Sequence, residues 1–104
     1  MANELILSQK EIENRIFTIR GVQVMLDTDL AIIYNVETRV LNQAVKRNIE
    51  RFPDDFMFQL TEDEWKNLKS QFVMSSEHGG RRTRPYAFTE QGVSGLSGVL
   101  KSGW

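Results

Sequence analysis

The stretch TRVLNQAVKRNIERFP, Thr38 to Pro53, constrains the fold more than any other part of the chain. Projected at about 100° per residue, Val40, Leu41, Ala44, Val45 and Ile49 fall on one half of a helix. Arg39, Asn42, Gln43, Lys46 and Glu50 fall on the other half, with Arg47 at the border. Pro53 stops it, because the residue ahead of a proline disfavours helical backbone. The pattern predicts a helix from Thr38 to Arg51 whose apolar side needs something to pack on.

The preceding residues supply that surface. DLAIIYNVETRVLNQAVKRN, Asp29 to Asn48, reads as two short helices around a tight turn. Ala31 is small enough for the second helix to come close. Asn35 stands where such a turn favours glycine, and it tolerates the left-handed conformation. Val36 follows as an apolar plug, and Leu41 and Ala44 face back to the first helix. This is a helix-turn-helix pattern, and it aims Arg39, Asn42, Gln43 and Lys46 away from the domain. Arginine matches guanine edges, Asn and Gln match adenine edges, and Lys and Arg hold phosphates. The competing reading is a merely solvated face, which any amphipathic helix carries. Asn42, Gln43 and Asn48 weigh against it, because a face tuned for stability favours Glu, Lys and Ala.

Charge is segregated in the same sense. The net charge of the 104 residues is −1, which alone argues against a nucleic-acid partner. Yet Arg39, Lys46, Arg47 and Arg51 against Glu50 leave the helix at +3. A second stretch, HGGRRTRPYAF, adds Arg81, Arg82 and Arg84 with no acid. Two basic patches thus sit on an acidic body, and local patches are what a phosphate backbone feels. Gly79-Gly80 gives the second stretch the character of a wing or arm beside a groove; a solvated loop is the alternative, and His78 is read as a loop residue.

The remaining chain reads as an α+β domain. Ser8 and Glu11 mark a short capped helix. Ile16 to Leu26 alternates around Arg20-Gly21 as a β-hairpin. Asp27 and Asp29 look like caps for the helix that runs to Tyr34. Phe56 to Leu60 reads as a strand, Thr61 to Phe72 as a helix boxed by Thr61 and Glu64, Tyr86 to Thr89 as a strand, and Thr89 to Ser102 as a last helix. Gly92, Gly95 and Gly98 give that helix a small-residue face for close packing. The expected fold is a helix-turn-helix packed with a small, mainly antiparallel sheet made of the hairpin and two short strands.

Several function classes receive no support. The cysteine count is zero and there is one histidine, so thiolate and histidine-rich metal sites are excluded. No apolar run approaches the roughly 18 residues of a membrane span, and MANELILSQKEIENR lacks a signal-peptide core. The acid pairs sit at helix starts or turns, where capping explains them. No Ser/His/Asp set, phosphate loop or dinucleotide fingerprint is present. The expectation is a cytoplasmic, nucleoid-associated protein, not an enzyme, with no cofactor and no metal.

IRGVQVMLDTDLAIIYNVETRVLNQAVKRNIERFPDDFMFQLTEDEW followed by GGRRTRPYAFTEQGV closely resembles the ORF-six-N domain, a KilA-N-like family of phage and bacterial proteins related to Bro-N antirepressor domains. The motifs LN..VKRN..RFP.DFMFQLT and RR..PYAFTEQGV carry the resemblance, which covers Ile16 to Lys101. It implies a DNA-binding domain over residues 16–102, behind a helical extension at 1–15, of the kind found in phage regulators and antirepressors, often ahead of a separate C-terminal region. Asn35 in place of glycine, and Gly95 and Gly98 in the last helix, depart from the family pattern.

Taken together, the expected function is sequence-specific double-stranded DNA binding without catalysis. The helix Thr38 to Arg51 enters the major groove with Arg39, Asn42, Gln43 and Lys46 on bases or adjacent phosphates. Arg47, Arg51, Arg81, Arg82 and Arg84 hold the backbone, and a homodimer would read a symmetric site. The alternatives are a protein-interaction module, such as an antirepressor that captures a repressor protein, and a small metal-dependent nuclease.

Overall fold

The computed structural model describes residues 8–71 and 83–102. Its elements follow the expected order: α1 (Gln9–Glu13), β1 (Ile16–Ile19), β2 (Val22–Leu26), α2 (Asp27–Tyr34), α3 (Thr38–Arg47), a 3₁₀ turn (Ile49–Arg51), β3 (Met57–Gln59), α4 (Glu62–Gln71), β4 (Tyr86–Phe88) and α5 (Glu90–Ser102). Local chemistry accounts for most boundaries. Ser8 and Glu11 form a reciprocal capping box on α1. Thr61 and Glu64 form another at α4. Arg20 and Gly21 both take positive φ, 56° and 79°, the geometry of a type I′ turn whose twist suits a two-residue hairpin.

Among the described residues four strands form one antiparallel sheet in the order β1-β2-β4-β3. The last of these strands in sequence is therefore an inner one. Side chains alternate between the two faces. On one face Val24, Leu26, Ala87 and Phe58 pack against Trp65 and Leu68 of α4. On the other, Met25, Met57 and Phe88 pack against Leu30 and Ala31 of α2, Leu41 and Val45 of α3, and Leu96 and Val99 of α5. The result is three layers, with the helix pair on the larger core. Phe52 closes that core edge-on to Phe88, ring centroids 6.1 Å apart.

Gly92 lets α5 come close to the sheet. A Cβ there would fall 2.0 Å from the Phe56 carbonyl oxygen, and that oxygen accepts the Thr89 backbone N–H. Gly95 faces the Phe52 ring, whereas Gly98 has open space around it. The small-residue face expected of this helix is thus real at Gly92 and Gly95 and absent at Gly98. No helix of the described residues is long and apolar enough to cross a membrane.

Three expectations change. The helix predicted to run to Arg51 ends at Arg47. The Asn48 side chain donates to the Ala44 carbonyl at 2.8 Å, and Arg51 and Phe52 then bond three residues back in a 3₁₀ turn. Ile49, assigned to the apolar half, is consequently 53% exposed, because the 100° projection no longer holds past the break. Asp27 and Asp29 do not occupy the cap position of α2, although Asp27 accepts the Thr28 N–H within its first turn. The cap position is Leu26, the last residue of β2, with no side-chain bond. Both carboxylates lie fully buried in the first turn, where Asp29 pairs with Arg15.

Candidate nucleic-acid interface

The helix pair is built as its sequence suggests. Asn35 takes left-handed backbone, φ 58° and ψ 46°. Its N–H donates to the Ile32 carbonyl, and the Val36 N–H donates to the Ala31 carbonyl at 3.0 Å. That doubly bonded ending satisfies carbonyls a helix terminus leaves over, and it turns Val36 back onto the core. Glu37 precedes α3 without a side-chain cap, and its carbonyl accepts the Leu41 N–H. Ala31, Leu41 and Val45 are buried at the contact and Ala44 is half-buried. Tyr34 Oη and Ser97 Oγ lie 2.5 Å apart and tie α2 to α5.

The outward face of α3 carries Arg39, Gln43, Lys46 and Arg47, all exposed. Spacings of four and three place Arg39, Gln43 and Lys46 on a single stripe, and Arg47, four residues beyond Gln43, borders it. Arg51 is exposed just beyond, in the 3₁₀ turn. Arg39 donates to Glu37 at 2.9 Å, a pair open to water on both sides and therefore easily exchanged. Lys46, Arg47 and Arg51 have no ion-pair partner among the described residues. The α3 surface thus offers a basic strip in which only Arg39 has an ion-pair partner among the described residues.

Two of the predicted site residues lie elsewhere. Asn42 is half-buried and turned inward, where its amide donates to Asp27 Oδ2 at 3.0 Å. The same oxygen accepts the Tyr86 backbone N–H at 3.4 Å, and Oδ1 accepts the Thr28 N–H at 2.7 Å. One buried carboxylate therefore joins α2, α3 and β4, and Asn42 is part of that junction. Arg84 is also half-buried. It donates to the Leu60 carbonyl at 3.0 Å, while its own carbonyl accepts from Gln59. Arg84 thus fixes the chain entering β4 to the end of β3. Arg81, Arg82 and His78 lie outside the described residues. Sequence reasoning missed Asp27 as an organising residue, and no local signal could have found it, because its partners Asn42 and Tyr86 come from distant segments.

A second charged arrangement stands at the hairpin turn itself. Arg20 makes a two-pronged contact with the Glu64 carboxylate, at 2.8 and 3.1 Å, and its guanidinium lies 4.0 Å over the Phe58 ring. The hydrogen bond from Arg20 holds the Glu64 carboxyl below the usual carboxylate range, helped by the Thr61 N–H; the Arg20 guanidinium is correspondingly raised. No group of three or more metal-ligating side chains occurs among the described residues.

A small α+β module presenting a basic helical strip is the class that fold and surface define. The chain belongs to the ORF6N domain family, whose model matches residues 14–99. Membership makes it a phage-type regulatory domain in the general sense. Comparison with curated proteins and with solved structures returned no match.

Proposed function

We propose that the chain is a non-catalytic, sequence-specific double-stranded DNA-binding domain of a phage-type regulator, in which α2 and α3 act as a helix-turn-helix. The observation that carries this reading is the exposed strip Arg39, Gln43, Lys46 and Arg47 on the outer helix of a locked pair. An α-helix fits the major groove, where Arg and Gln match purine edges. Lys46, Arg47 and Arg51 hold phosphate, which positions the helix without reading sequence. Asn42 drops out of the base-contacting set, because its amide already serves Asp27. One module buries little surface, so a homodimer on two half-sites suits tight binding. Such a domain acts at the nucleoid as repressor, activator or antirepressor.

The test is affinity for DNA fragments selected from a random pool, measured by anisotropy against salt. A falling log–log line is expected, with a slope that flattens by about 0.9 for each phosphate contact removed. Lys46→Ala should weaken all sequences alike, and Gln43→Ala should relax preference at one position. A flat salt dependence, or capture of a repressor protein with no DNA shift, would sink the reading.

A further inference from the structure

The sheet contains a notch. β2 pairs with β1 from Val22 to Met25, but with β4 only at Met25 and Leu26. β4 ends at Phe88, and the chain leaves the sheet as α5. The two-residue turn makes Ile19 and Val22 the closing pair of the hairpin, and backbone groups alternate sides along a strand. Val22 and Val24 thus turn their N–H and C=O toward β1, whereas Gln23 and Met25 turn theirs to the side of β4. Met25 meets Phe88 there. Gln23 meets no strand among the described residues.

Beside this unpaired length lies an open cleft of about 950 Å³ between the hairpin and the first turns of α5. Ile16, Val22, Met25 and Val93 give it an apolar lining. Ile16 and Val22, members of the hairpin strands themselves, are 38% and 43% exposed and add to the apolar patch at the cleft. Asp54, Asp55 and Glu90 add three exposed carboxylates. Arg20 also lines the cleft; Glu64 holds its guanidinium directly, and Asp54 acts on it at longer range. A phosphate backbone is repelled here, so this is not an extension of the α3 strip.

We propose that the cleft binds an extended segment of a protein partner in which Lys or Arg alternates with apolar residues, and that this segment continues the line of β4 and pairs with the Gln23 backbone. A strand on that line sits about 4.8 Å from β2, and its side chains alternate in direction. The apolar set covers Ile16, Met25 and Val93, and the cationic set meets Asp54, Asp55 and Glu90. Strand addition draws affinity from the main chain and selectivity from alternate side chains. The inference stands on the notch, the exposed apolar residues and the carboxylates, and does not depend on DNA binding.

The experiment uses the full chain, isotope-labelled on nitrogen, and a short capped fluorescent peptide alternating Val and Lys, with no DNA present. Saturable anisotropy is expected, together with a shift of the Gln23 amide and slowing of its hydrogen exchange. The double change Asp54→Asn and Asp55→Asn should weaken binding about ten-fold or more, and Glu90→Gln is the independent second variant should the turn not tolerate the pair. A peptide of equal charge with proline in place of each valine should lose binding, since it cannot donate to the ladder. Equal affinity for the proline peptide, unchanged binding by both variants, or shifts confined to α3 would overturn the proposal.

Discussion

Asn42 and Gln43 are neighbours in sequence with opposite duties. Gln43 is open to solvent, whereas Asn42 gives its amide to the buried Asp27. Asn42→Ala removes a hydrogen bond from a fully buried carboxylate, so urea denaturation should report a loss of about 1–3 kcal/mol. Gln43→Ala should leave stability within about 0.5 kcal/mol while changing the DNA affinity proposed for this face. A helical projection could separate the polar from the apolar side of this helix, but it could not say which polar residue had an internal partner. That information lies fifteen residues away, in how α2 begins. The Arg20–Glu64 pair gives a second prediction at this scale. The Glu64 carboxyl is depressed in the folded protein, so the stabilisation it brings is fully present above its unfolded value, about pH 4.5. It is lost as pH falls through the lower folded value. Thermal melts of Glu64→Gln should therefore differ from those of the native chain near neutrality and converge with them in acid.

Among the elements, α5 shows why glycine cannot be read by type alone. Gly92 sits where a Cβ would strike the Phe56 carbonyl, which the Thr89 N–H already holds in place. Gly92→Ala should cost at least about 2–3 kcal/mol and shift the end of the helix away from β3. Gly98 has free space and helical backbone, so Gly98→Ala should stabilise by roughly 0.5–1 kcal/mol. Thermal unfolding of the two variants tests both signs at once. A regular spacing of three invited one explanation for all three glycines, but only the tertiary neighbours tell them apart. The end of α3 teaches the same point. RFP announced a stop, and the stop exists, but Asn48 breaks the helix first by bonding back to Ala44. Capping boxes and the hairpin turn were legible, because both are written in residues three or fewer apart.

At the scale of the whole molecule, the order of elements followed from period, caps and turns, and so did the pairing of α2 with α3. The strand order did not. Nothing local in YAF says that it lies between β2 and β3, and that insertion is decided by which faces Met25, Met57 and Phe88 can bury together. The notch beside Gln23 was invisible for the same reason, since it exists only where two strands of unequal length meet. The inner position of β4 also has a consequence in time. A ribosome delivers β1, β2 and β3 well before the strand that joins them, so until Tyr86–Phe88 emerges β3 lacks its partner among the described residues and the hairpin waits with an open edge. Such edges invite pairing with other chains. A nascent chain halted before β4 should therefore show no cooperative unfolding and should depend on chaperones to stay dispersed. Once β4 arrives, sheet, helix pair and basic strip should form in a single step.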